Sequence, residues 1–211
     1  MSTCWWQIRC EFSASLDRRL TFDNHASAIA RSCNQHVRAI RHICHLLTLD
    51  LSQTLACSLI LSRIDYCNSV LHCAPSSTIQ KLQRVQNNAA RIVLQAPRRS
   101  DVNSLLQTLH WLPVEQHINY KLAMLTFKTQ QTSSPQYLSQ HISLRTSARN
   151  TRSSSVPLLC LPFWRTSFAR QSFSTATPLT WNSLPPAVLN CFSLSTFKSR
   201  LKTHLFFTAF C

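Results

Sequence analysis

The groups on this chain that could do chemistry are few and scattered. Seven carboxylates occur: Glu11, Asp17, Asp23, Asp50, Asp65, Asp101 and Glu115. Two-metal phosphoryl chemistry needs acids clustered around the ions, and the closest pair here, Glu11 and Asp17, stands six residues apart. A Ser-His-Asp arrangement has all three residue types but no motif that singles out a serine. Thiols and imidazoles crowd one stretch, Cys33, His36, His42, Cys44 and His45. Helical spacing sends Cys33 and Cys44 to an apolar stripe and His42 and His45 to a polar one, so they do not converge on a tetrahedral metal. Cys67, His72 and Cys73 form a weaker group. No metal, no cofactor and no small-molecule substrate is expected.

Glycine is absent from all 211 residues. That excludes a phosphate-cradling P-loop, a Rossmann turn and a nucleophile elbow, each of which needs a residue without Cβ where backbone meets ligand or φ is positive. Helix ends and tight turns must use Asn, Ser or Pro instead.

The chemistry left is binding. Net charge is +15, with 22 Lys and Arg against seven acids. Beyond Glu115 there is no acid, and ten Lys and Arg follow. Such a field favours a polyanion, first of all nucleic acid. The ten cysteines are expected to be reduced. The N-terminal residues Met1 to Arg9 lack the basic and apolar regions of a signal peptide, and no run approaches a membrane span. The expected location is cytoplasmic or nuclear, with no membrane partner.

Stepping from these groups to the elements that carry them, apolar spacing predicts a mainly α fold. A first helix is expected from His25 to Leu47, with Asp23 or Asn24 as N-cap. Ala26, Ile29, Ala30, Cys33, Val37, Ile40, Cys44 and Leu47 lie on one face; Arg31, Arg38, Arg41, His42 and His45 lie beside it. A second helix starts at Ser52 as N-cap and continues toward Val70. A third, Ser77 to Gln95, buries Ile79, Leu82, Val85, Ala89, Ile92 and Val93 and sets Lys81, Arg84, Asn88 and Arg91 on the opposite side. A short helix over 103–109 follows. Pro113 is expected at the first position of another that reaches Gln130. A helical turn is expected over 134–139, then a Ser/Arg linker over 143–157 with Arg145, Arg149 and Arg152. Val156 to Trp164 reads as a strand or buried loop, and Ser195 to Phe207 as a last helix. The cationic residues Arg31, Arg38, Arg41, Lys81, Arg84, Arg91, Arg145, Arg149 and Arg152 are the candidate phosphate contacts.

Six strings in register then resemble one family. Arg63-Ile64-Asp65-Tyr66-Cys67-Asn68-Ser69-Val70-Leu71 is similar to a segment of the reverse transcriptases of non-LTR (LINE-type, jockey-like) retrotransposons. Leu82-Gln83-Arg84-Val85-Gln86-Asn87-Asn88-Ala89-Ala90-Arg91 follows at family-like spacing. Leu109-His110-Trp111-Leu112-Pro113-Val114 with Tyr120-Lys121-Leu122 comes next. Pro135-Gln136-Tyr137-Leu138-Ser139, Trp181-Asn182-Ser183-Leu184-Pro185 and Phe197-Lys198-Ser199-Arg200-Leu201-Lys202 complete the set, and Arg152-Ser153-Ser154-Ser155 resembles a further landmark.

The resemblance implies the part downstream of the polymerase palm. Residues 1–23 would be the palm's end, 24–96 a thumb-like helical bundle and 97–142 a helical connector. Residues 143–157 would be a linker and 158–211 a smaller, irregular α-rich region with little strand. In that family thumb helices grip the template–primer duplex. The family's Tyr/Phe-x-Asp-Asp box and its endonuclease domain are not in these residues, so no catalytic residue carries over. The family's Leu-Tyr-Gly-Leu-Pro stretch corresponds to Leu71-His72-Cys73-Ala74-Pro75, without its glycine. The expected function is a non-catalytic reverse transcriptase fragment with sequence-independent affinity for RNA or RNA–DNA duplex. The alternatives are a decayed element fragment with no molecular function and a helical protein–protein interaction module.

Overall fold

A computed structural model describes residues 22–145 and 157–211. Arg149, Arg152, most of the 143–157 linker, residues 1–21 of the expected 1–23 palm end and the acids Glu11 and Asp17 lie outside the described residues. The fold is mainly helical, and among the described residues the only β pairing is an isolated antiparallel bridge between Leu144 and Leu159.

Helix α1 (Asp23–Ile43) buries Ala26, Ile29, Cys33, Val37 and Ile40, the stripe its spacing predicts. It ends four residues earlier than expected, in a 3₁₀ turn over Cys44–Leu46. Its N-cap is neither Asp23 nor Asn24 but Phe22, in a left-handed conformation without a side-chain cap. Asp23 sits one position inside, where its carboxylate favours the positive end of the helix dipole and accepts from Thr78 Oγ1 at 3.0 Å.

Helix α2 (Leu49–Ala56) starts before Ser52. Thr48 is the cap, accepting from Leu51 N, and Ser52 is buried inside the helix. A π turn over Cys57–Leu61 passes directly into α3 (Ser62–Asp65). Tyr66 turns extended and ends the helix, and a 3₁₀ turn over Asn68–Leu71 replaces the expected continuation to Val70.

Helix α4 (Ser76–Val93) buries Leu82, Val85, Ala89, Ala90, Ile92 and Val93 and packs chiefly along α1. Helix α5 (Val102–Thr108) is capped by Asp101, which accepts from Asn103 N and Ser104 N. Pro113 is the N-cap of α6 (Val114–Thr132), one place before the expected position. Two glutamines of α4 join α6: Gln83 Oε1 accepts from Val114 N at 2.9 Å, and Gln86 Nε2 donates to Leu112 O at 2.9 Å. Asp65 closes the other side. Its carboxylate lies 2.9 Å from His117 Nδ1 and its carbonyl accepts from Lys121 Nζ at 2.8 Å.

Helix α6 is apolar on two sides because it serves two cores. Ile118 and Leu122 belong to the core of α1 to α5; Ala123, Met124 and Phe127 belong to a second one. After α7 (Gln136–Ser139), residues 157–164 carry no strand, only buried Leu159. Then follow α8 (Ser167–Gln171), α9 (Phe173–Asn182), α10 (Pro186–Leu189) and α11 (Leu194–Phe210), the last capped by Ser193. Helix α9 was not expected, because Pro178 lies inside it. The proline removes one helical donor, but Ala176 and Trp181 on the same helix are almost completely buried, and burial outweighs one lost bond. Phe127, Phe197 and Trp181 stack in series, with centroids 4.3 and 5.7 Å apart. Trp181 Nε1 donates to Pro157 O, and the Asn182 amide pairs with both backbone groups of Leu159.

The missing glycines leave a mark on the backbone. Phe22, Cys67, Cys73, Gln95, His110 and Ser133 all have φ between 49° and 57°. The ends of α4 and α5 are Schellman motifs, with Ala96 N bonding Arg91 O and Trp111 N bonding Leu106 O, and with Gln95 and His110 where glycine usually stands. A Cβ in this conformation costs about 1–2 kcal/mol, part of which glycine gives back as unfolded-chain entropy. Cys73 is exposed and free in its side chain, so Cys73→Gly should stabilise the fold by about 0.5–1 kcal/mol. A thermal melt shifted upward by about 2 °C is the expected reading; a lowered midpoint would contradict the left-handed assignment.

Candidate nucleic-acid interface

Helices α1 and α4 run parallel. At their starts Lys81 Nζ lies 2.8 Å from both Asp23 oxygens and 3.3 Å from Ser27 Oγ. At their ends Arg41 of α1 and Asn88 and Arg91 of α4 line one cleft. The polar stripes of the two helices therefore border a single seam. Arg31, Arg38 and Arg41 follow one side and Arg84 and Arg91 the other, by helical register.

Arg31, Arg38, Arg41 and Arg84 are exposed and Arg91 is half-buried. None of the five forms an ion pair with a carboxylate among the described residues. Arg31 Nε donates to Ser27 O at 3.4 Å, within its own helix, and leaves the other guanidinium donors free to turn outward. Along α1 the row from Arg31 to Arg41 is about 15 Å long. One strand of a duplex carries a charge every ~3.4 Å of axis, so that length passes four or five phosphates.

Four of the expected contacts are paired, placed elsewhere or outside the described residues. Lys81 is occupied by Asp23 in an exposed pair, which contributes at most about 1 kcal/mol to stability but removes the free charge. Arg145 is held to the second core, with its backbone N–H on Leu158 O at 2.9 Å, and does not border the α1–α4 seam. Arg149 and Arg152 lie outside the described residues. Sequence reasoning passed over Arg98, which lines the cleft with Arg41 and Arg91.

The cysteines and histidines of the Cys33–His45 stretch do not converge on one point. Cys33 is buried, donates to Ile60 O at 3.8 Å and has its thiol pushed up to about 11 by that burial. Cys44 bonds Arg41 O, and His42 and His45 are exposed. Among the described residues no three His, Cys, Asp or Glu are grouped to hold a metal ion, and no helix is long and apolar enough to cross a membrane.

Three imidazoles have a lowered pKa. Burial lowers His25; burial, then the Arg63 charge, lowers His36; burial, then the Arg170 charge, lowers His72. A depressed folded value means the unfolded chain takes protons that the fold resists. Stability is thus full above the ordinary value of 6.5 and falls as pH drops through the lower folded values. Urea midpoints should be lower at about pH 5 than at about pH 7.5, and His25→Leu should flatten the difference. A midpoint that rises on acidification would contradict this sign.

No protein-family model, no curated protein and no solved structure matches the chain.

Proposed function

We propose that this chain is a non-catalytic remnant of a non-LTR retrotransposon reverse transcriptase that binds RNA or RNA–DNA duplex through its phosphates. The observation that carries the reading is the α1–α4 seam, where five arginines line up with no carboxylate partner among the described residues. A solvated helix face normally mixes signs, whereas α4 carries no acid and α1 only Asp23 at its start.

Two further observations support the ancestry. The strings that resemble the family touch one another: Gln83 and Gln86 hold Leu112 and Val114, Asp65 meets His117 and Lys121, and Trp181 stacks on Phe197. Cys73 has φ 57° at the place where the family carries glycine. Both are what a thumb-like unit with decayed turn residues would retain.

Binding is expected to be independent of sequence and steeply dependent on salt. With about five phosphates neutralised, log affinity against log salt should fall with a slope of about −3.5 to −4.5. Fluorescence anisotropy on duplexes of unrelated sequence measures it. A flat response, or strong preference for one sequence, removes this function. The reading without molecular function draws on the six left-handed residues that bear a Cβ among the described residues; it predicts a broad, uncooperative melt, whereas the binding reading predicts a cooperative helical one.

A further inference from the structure

The last turns of α1 and α4 end side by side because the two helices run parallel, and each last turn carries an arginine, Arg41 and Arg91. The Schellman turn that follows α4 is tied to the end of α1, with Gln95 Nε2 donating to Cys44 O at 3.2 Å. That tie directs the next residues back along the seam, and Arg98 joins the other two. Arg41, Asn88, Arg91, Ala96 and Arg98 line a cleft of about 370 Å³.

Three guanidiniums share this cleft without an ion pair among the described residues. The nearest acid in sequence, Asp101, is spent as the cap of α5. The Arg91 Nε is buried and has no hydrogen-bond partner, and an unmade bond of a buried charged donor is costly. Like charges gathered in one place also raise the free energy of the fold unless an anion answers them. Guanidinium forks match tetrahedral oxyanions in geometry, and the Asn88 amide adds a neutral donor.

We infer that this cleft is a discrete phosphate site, in which Arg41, Arg91 and Arg98 grip one phosphate group. The inference rests on the reading of the seam as a polyanion face and deepens it: the seam has an anchor at one end, and the rest of the row tracks the strand that leaves it. The phosphate belongs either to the backbone of a bound strand or to a terminal or free phosphomonoester. Both present the same oxygens to the cleft.

The test uses the full chain and inorganic phosphate as the probe, titrated by calorimetry. Saturable binding is expected, weakened about tenfold or more in Arg98→Gln and in Arg41→Gln and unchanged in Lys198→Gln, which lies on α11 away from the seam. Arg98 is exposed in a loop, so its variant keeps the fold, and an unchanged thermal melt verifies that. Two duplexes then separate the sources. A 5′-phosphorylated duplex that displaces phosphate better than its 5′-hydroxyl twin identifies a terminal phosphate; equal displacement identifies the backbone. Absence of saturable phosphate binding, or an Arg98→Gln variant that binds like the parent, overturns the site even where duplex binding persists. Phosphate binding with no duplex binding keeps the site and ends the reading of the seam.

Discussion

Reversing Arg84 and Arg91 together to glutamate should lower the affinity for a duplex by roughly 60-fold at about 0.1 M salt and flatten the log–log salt slope by about 1.8. Both figures come from the same source. Each phosphate contact releases condensed counterions, and two lost contacts remove about 0.9 each from the slope. The introduced carboxylates add repulsion, so the loss in affinity is a lower bound. The effect should be the same for every sequence tested, because phosphate contacts carry no base information. A charge-matched reversal of Lys198 and Lys202 together tests specificity of place. Both lie on α11, whose Phe197 and Leu201 belong to the second core, so their reversal should change affinity only through net charge. Equal losses from both variants would mean that overall charge, not the α1–α4 seam, does the binding.

Truncating Phe197 to alanine should cost about 3–5 kcal/mol of stability. Phe197 is fully buried and stands between Phe127 of α6 and Trp181 of α9 in the aromatic series. Its ring thus touches both neighbours, and its removal opens a cavity between them. A loss of about 4 kcal/mol in a chain of this size corresponds to a melting point lowered by roughly 8–16 °C. Calorimetry reads it directly. Because α6 also lines the first core through Ile118 and Leu122, the loss should appear as one shifted transition. Two separated transitions would show that the cores melt independently and that α6 does not couple them.

Helix spacing in the sequence located α1, α4, α6 and α11 to within a few residues, and it picked the buried face of α1 and α4. These elements are long and strongly amphipathic or apolar, and their period is a local property. It did worse where short-range signals competed. Ser52 looks like a cap, but Thr48 has the better position and Ser52 is buried. Pro178 reads as a breaker, but it lies in a helix whose burial compensates for one absent donor. Among the candidate contacts, the arginines of α1 and α4 were legible as stripes. The fate of Lys81 was not, since its partner Asp23 lies 58 residues away.

The chain's composition alone settles several points. No glycine means that each left-handed turn must be made by a residue bearing a Cβ, and seven scattered acids leave a surplus of cations with nothing to pair with. Only tertiary structure decided which of those cations stand together. The parallel run of α1 and α4 withdraws Lys81 into an ion pair at one end and brings Arg41, Arg91 and Arg98 to one cleft at the other. The difference has a physical origin. Helical faces follow from spacing over a few turns, whereas the pairing and direction of helices follow from how distant apolar stripes bury one another, and that sum extends over the whole chain.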